Sequence, residues 1–173
     1  EPYFVRFPRK DLHFEHTLFA DTAILCQWTK EKNVRQQPRL SAPGMAFRLL
    51  PPTGGLSATV ARLDYAKTSV LWRYDALTGD YLRWTDEIPH MDALTGAQLA
   101  FQNVVVMSAY HEEHVLFPEK YFGKETSLYI ELQGDGPMTL LRDGQAYEGR
   151  WHRKDDKDML TFTTRSGNLL YLK

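Results

Sequence analysis

MTLLRDGQAYEGRWH, residues 138–152, sets Asp-Gly between two alternating apolar runs. That arrangement is the strongest short-range signal for a two-residue hairpin turn. With Asp143 and Gly144 as the loop, Arg142 pairs with Gln145 and Leu140 with Tyr147. A slip of one residue would turn Tyr147 to the other face, so the register is firmly specified. The pattern continues downstream: a charged loop at 153–158, MLTFTT, a Ser166-Gly167-Asn168 turn and LLYL complete a meander.

Upstream of the hairpin the chain is also β in character. SLYIEL (127–132) reads as a strand, and NVVVMSAY (103–110) is β-branched and apolar, as a strand buried on both faces is. YLRW (81–84), VLWRYD (70–75) and ATVARLDY (58–65) add three more, with Val70, Trp72 and Tyr74 on one face. Trp72, Tyr74 and Val104 are expected in the core. PPTGGLS (51–57) is a loop, MAFRLL (45–50) a short strand, and 34–44 a polar, proline-bearing loop. The one good helix candidate is TLFADTAILCQWTKEKN (17–33), with Leu18, Ala23, Leu25 and Trp28 marking an apolar side and Asn33 at its end. YFVRF (3–7) alternates like a strand with no partner in view.

The expected fold class is therefore α+β, mainly β: antiparallel sheets and a hairpin meander with one principal N-terminal helix. Two regions follow. Residues 1–56 read as the end of an N-terminal α/β region (strand, helix, strand), and 57–173 as a β-rich C-terminal domain. The opening at Glu1 looks like the middle of a strand, so a fragment or processed product is expected, with any signal peptide upstream. An upstream domain, another protein, or a second copy of the chain is the expected cover for a strand and helix that cannot bury themselves.

Composition bounds the function. A chain of 173 residues holds one domain with a real core or two small lobes. Formal net charge is −1, which gives no overall pull toward nucleic acid or anionic lipid, and no nucleic-acid partner is expected. No apolar run approaches the roughly 18–20 residues of a membrane span, so a membrane anchor would have to lie upstream. The single cysteine, Cys26, rules out an intrachain disulfide and is expected as a buried, inert thiol on the helix. "AILC" lacks the small residue that a lipid-attachment cysteine needs before it.

The pentad Asp-Ala-Leu-Thr-Gly occurs at 75–79 and again at 92–96. Asp can fold its carboxylate onto amides two residues ahead, and Gly supplies the left-handed closure, so both copies read as turns with Gly79 and Gly96 at positive φ. Asp75, Asp80, Asp86, Glu87 and Asp92 lack the alternate spacing and central glycine of a calcium loop. The flanks of the pentads differ, so they are not an internal repeat. His13-x-x-His16 and His111-x-x-His114 have metal-like spacing, but neither matches the zinc-peptidase pattern, and exposed or structural histidines explain both. Arg6, Arg9, Lys10, Lys30, Lys32, Arg35 and Arg39 gather early, diluted by Asp11, Glu15, Asp21 and Glu31 into a solvated face. No nucleotide fingerprint, G-x-S-x-G or phosphate loop occurs. No catalytic residue, metal ligand or cofactor is assigned. Arg83, His90 and Asp92 flank the segment between the pentads and are the candidate ligand-binding residues. They read either as a small-ligand site or as a polar latch fixing a loop to the sheet.

YDALTGDYLRWTDEIPHMDALTGAQLAFQNVVV (74–106) resembles the pattern of the YerB-like bacterial lipoprotein family: Y-D-x-x-T-G-x-Y-x-R, then P-H-x-D-x-x-T-G-x-x-L, then N-V-V-V. LLRDGQAYEGRW with LTFTTRSGNLLYL is similar to its closing pattern, and FVRFPRKDLHFEH, more loosely, to an Arg-rich, His-containing stretch before its helix. The chain departs at RWTDEIPH, where Glu87-Ile88 stands in place of a glycine before Pro-His. The resemblance implies a secreted or membrane-tethered protein of the cell envelope, outside the cytoplasm, with an N-terminal domain before a β-rich one. It carries over no catalytic residues. Two function classes follow: a non-enzymatic binding or scaffold module, and an enzyme acting on a cell-envelope polymer through Arg83, His90 and Asp92.

Overall fold

The computed structural model of the chain describes residues 3–34, 44–118 and 126–173. It is mainly β, with antiparallel sheets and one α-helix. Two compact units, Glu1–Ser41 and Ala42–Lys173, divide it. Residues 44–55 fall with the second unit. Among the described residues no helix is long and apolar enough to cross a membrane.

The first unit contains β1 (Val5–Arg6), a 3-10 turn (Phe14–Thr17), β2 (Leu18–Phe19) and α1 (Thr22–Glu31). β1 pairs with β2, Val5 opposite Phe19, so the opening strand finds its partner close by in the chain. The helix begins later than residue 17 because Leu18–Phe19 joins this ladder. Asp21 then caps the helix, accepting from the amides of Ala23 (2.7 Å) and Ile24 (3.3 Å). Asn33, at φ 52, lies just past its end. Leu25, Trp28 and Thr29 form the half-buried stripe at helical spacing. Cys26 lies off that stripe and is exposed, which corrects the expectation of a buried thiol.

The second unit runs β3 (Leu56–Ser57), β4 (Val60–Asp64), β5 (Ser69–Asp75), β6 (Asp80–Thr85), β7 (Ile88–Pro89), β8 (Ala100–Phe101), β9 (Asn103–Met107), β10 (Tyr110–Pro118), β11 (Thr126–Glu131), β12 (Gly134–Arg142), β13 (Gln145–Arg153) and β14 (Thr161–Thr164). One five-stranded sheet has the order β14-β13-β12-β9, with β3 on β13; the other has β4-β5-β6-β7, with β8 on β6. β10 and β11 form a separate ribbon. The β12–β13 register sets Leu140 opposite Tyr147 and Arg142 opposite Gln145, as expected. Asp143 (φ 51) and Gly144 (φ 72) have the positive φ of a type I′ turn.

The first of these sheets is packed on both faces. Leu140, Tyr147, Trp151, Phe162 and Leu170 build the core on one side. Tyr81, Val104 and Leu141 build it on the other, beneath the second sheet. β9 serves both, sending Val105 and Met107 to the first core and Val104 and Val106 to the second. Tyr81 is wholly buried and donates its hydroxyl to the Ala58 carbonyl at 2.9 Å; desolvation pushes its phenol up to about 12. Val104 is core as expected, whereas Trp72 and Tyr74 are half-buried against the same cluster. Asn103 closes the strand onto the last residue: its amide donates to the Lys173 carbonyl (3.2 Å) and accepts from the Lys173 amide (2.8 Å).

Arg142 is fully buried. Its Nε donates to Asp143 Oδ2 at 2.9 Å, Nη1 to the carbonyls of Arg48 and Tyr171 at 3.0 Å, and Nη2 to the Leu49 carbonyl at 2.8 Å. Nη2 also lies 2.9 Å from Asp143 Oδ2 as an ion pair, so each of the three guanidinium nitrogens has a partner. This explains why 45–50 is not the expected strand. Its carbonyls turn to the guanidinium, and only the parallel bridge between Phe47 and Leu172 remains of a ladder. Asp143 Oδ1 also takes Lys173 Nζ at 2.7 Å. Burial works to raise the Asp143 carboxyl, and the hydrogen bonds from Lys173 and Arg142 outweigh it, so the group sits below the usual carboxylate range.

Arg142→Leu is expected to destabilise the chain by about 3–5 kcal/mol, because it takes the donor from three carbonyls and leaves the Asp143 carboxylate with Lys173 alone. Arg142→Lys should recover less than half, since three donors cannot replace a five-donor fork. Urea unfolding of the three proteins checks both. A carboxyl with a lowered folded-state pKa contributes stability above the unfolded value and loses it as pH falls through the folded one. The stability gap between wild type and Asp143→Asn should therefore be full at pH 7 and shrink below about pH 4. Urea midpoints measured from pH 7 to pH 3 test the sign.

Candidate functional site

β6 presents Tyr81, Arg83 and Thr85 on one face, since strand residues alternate. Trp72 on β5 stands directly opposite Arg83, whose guanidinium carbon lies 5.6 Å from the indole centroid. This distance is within cation–π range. Arg83 Nε is buried and has no hydrogen-bond partner among the described residues. Leaving such a donor unmatched costs about 1–3 kcal/mol, more on a charged group.

The backbone around Arg83 is fully engaged. Its amide donates to Leu99 (3.0 Å), its carbonyl accepts from the His90 amide (3.0 Å) and Gln98 Nε2 (2.7 Å), and the Leu99 amide donates to His90 (2.8 Å). Residues 88–99 are thereby strapped along β6. The strap begins at Asp86 (φ 49) and Glu87 (φ 66), a two-residue reversal between Thr85 and Ile88. Left-handed backbone is unfavourable for residues with a Cβ. Asp86 is compensated, accepting from Thr68 Oγ1 (3.0 Å) and the Ser69 amide (2.8 Å). Glu87 has a 3.7 Å ion pair with Arg62 at the surface. The departure at RWTDEIPH is thus a tight turn, hidden because Asp-Glu carries none of the Asp-Gly signal.

His90 holds Nδ1 3.3 Å from Thr85 Oγ1 and lines a shallow groove of about 450 Å³ with Thr85, Ile88, Pro89 and Met91. Asp92 looks elsewhere. Its Oδ1 accepts from the Thr95 hydroxyl (2.7 Å), the Thr95 amide (2.7 Å) and the Leu94 amide (3.1 Å), and the Thr95 hydroxyl foremost holds the carboxyl below its usual range. The Asp75 carboxylate folds over its own turn, accepting from the Leu77 amide (3.0 Å) and Thr78 hydroxyl (3.1 Å). Gly79 (φ 78) and Gly96 (φ 68) close the two turns, so the doubled pentad is one corner built twice.

Arg83 and His90 are therefore joined through their backbones, while the Asp92 carboxylate is engaged in its own turn. Among the described residues Arg83 and Asp92 form no ion pair, and Thr85, not a carboxylate, meets the imidazole. A cation on an aromatic face can receive an anion, and His90 lines a groove that does not include Arg83. Larger grooves, about 580 and 600 Å³, lie against β13 and contain none of the three candidates.

His111 stands on β10 with Nδ1 2.8 Å from the Ala109 carbonyl; the side chain of His114 is outside the described residues. Residues three apart on a strand face opposite ways, so the spacing loses its metal-binding sense. Arg6 lies 3.7 Å from the Phe14 centroid and Arg9 pairs with Asp11, whereas Arg35 and Arg39 are outside the described residues. The role of Arg142 has no local signal: alternation puts it on the face of Leu140, but the carbonyls it gathers belong to residues 48, 49 and 171, far off in the chain.

Residues 61–173 match the family described as "Protein of unknown function (DUF3048) C-terminal domain". The crystal structure of YerB protein from Bacillus subtilis is similar in fold, with a TM-score of 0.67 at 18% identity. The match covers 98% of this chain and 53% of the Bacillus one, so the chain spans about half that protein's length. No curated protein matches in sequence.

Gly79→Ala and Gly96→Ala should each destabilise by about 1 kcal/mol through left-handed strain. Glu87→Gly should do the reverse, raising stability by about 0.5–1 kcal/mol once the Cβ is removed. Thermal unfolding of the three variants measures these effects.

Proposed function

The chain belongs to the DUF3048 family, and on that premise we propose that it is a non-enzymatic binding or scaffold module of a cell-envelope protein, working outside the cytoplasm. The resemblance to envelope lipoproteins supports the setting. One observation carries the binding role: the Arg83 guanidinium over Trp72, with a buried Nε that nothing described satisfies. In this reading Arg83 receives an anionic oxygen, a carboxylate or a phosphate, and His90 adds a second donor from its groove. Asp92 does not touch the ligand; it fixes the turn that keeps the strap on β6. An upstream domain is the partner proposed for the first unit, where Phe4, Phe7 and Phe14 are half-exposed or more.

The test follows the Arg83 Nε–H resonance by NMR during separate titrations with acetate and inorganic phosphate. A saturable shift with one of them, absent in Arg83→Gln and weakened in His90→Ala, is expected. An Nε–H signal that neither anion moves would remove the site.

A further inference from the structure

β10 and β11 stand as a two-stranded ribbon, and neither outer edge is paired among the described residues. An isolated two-stranded ribbon is marginal in water. It is rooted in the second unit where Trp151 Nε1 donates to the Ser108 carbonyl at 2.8 Å. Beyond that root Tyr110, Leu128, Tyr129 and Ile130 are 64%, 62%, 42% and 47% exposed. Proteins usually guard such edges with charge or proline. The β10 edge has Glu112 and Glu113, but Leu128-Tyr129-Ile130 on β11 has neither device.

Symmetry decides what fits that edge. When a strand pairs antiparallel with its own copy, a two-fold axis perpendicular to the sheet sets one residue against itself, with its neighbours crossing over. On β10 an axis at Glu112 or Glu113 opposes like charges, which is destabilising. On β11 an axis at Tyr129 sets the ring against the partner's Tyr129 and places Leu128 against the partner's Ile130 on both sides. Aromatic and aliphatic cross-strand pairs of this kind are favourable. We propose that β11 is the seam of a homodimer, pairing antiparallel with β11 of a second copy about Tyr129 to join two ribbons into a four-stranded sheet. The seam is independent of the Arg83 site.

Sedimentation velocity over a wide concentration range should show a monomer–dimer equilibrium. Tyr129→Lys, which sets two ammonium groups on the axis, should weaken association at least tenfold. In a Cys26→Ser background, Tyr129→Cys should give a covalent dimer under mild oxidation, because the opposed Cβ atoms come within disulfide reach. Tyr110→Cys, exposed on the other strand, should cross-link only at background level. Circular dichroism checks folding, and the cysteine pair decides if Tyr129→Lys does not fold. Wild type that stays monomeric throughout, a dimer indifferent to Tyr129→Lys, or equal cross-linking at positions 129 and 110 would overturn the proposal and leave the edge to a different partner.

Discussion

The buried guanidinium of Arg142 is the constraint from which the second unit is organised. It gathers carbonyls from Arg48, Leu49 and Tyr171 with the carboxylate of Asp143. None of those carbonyls belongs to a regular ladder, and each finds its donor in the guanidinium. The hairpin makes the arrangement possible. Asp143 can meet its own neighbour because the turn holds it in the left-handed region, where the carboxylate folds back toward Arg142. A buried ion pair rarely adds much stability over an apolar replacement, but removing one partner is severe. Its effect here is positional: an early loop, the central hairpin and the closing segment share one centre.

A second consequence is a sheet with two insides. The hairpin meander supplies one core, and the sheet of β4 to β8 closes the other over Tyr81. The outer part of that covering sheet has less behind it. Trp72 sits there half-buried, with Arg83 across its face and the strap of 88–99 along the neighbouring strand. The candidate site is thus a margin of the core, where an aromatic ring and a charged group share partial shelter.

What the sequence disclosed was local. Asp143-Gly144 fixed a register to the residue, and the pentads declared their turns, because each signal lies within a few bonds of its effect. Alternation put Val104 inside and set Trp72 and Tyr74 on the correct face. It could not tell their depth, which depends on where the second sheet ends. The length of the N-terminal helix was overread because Leu18 fits a helical stripe, and only the strand at Val5 claims it. Arg83, His90 and Asp92 lie close in sequence, yet three different partners hold their side chains. Proximity along the chain did not translate into convergence, since the strap joins them through main-chain atoms.

β9 raises a problem of phase. Val104, Val105 and Val106 are nearly interchangeable, and both sides of the strand meet apolar neighbours. Hydrophobic burial therefore scarcely distinguishes the observed alignment from one displaced by a single residue, an error that burial forbids in a one-sided strand. Discrimination passes to a polar group at the strand's first position. Asn103, opposite Arg142, both gives and receives a hydrogen bond at the Lys173 main chain. Displaced one way, the strand would put Val104 in that place and strip two main-chain groups of their partner; displaced the other way, it would put the longer Gln102 there. A single amide thus acts as the index mark for a strand whose hydrophobic lettering reads the same in either frame.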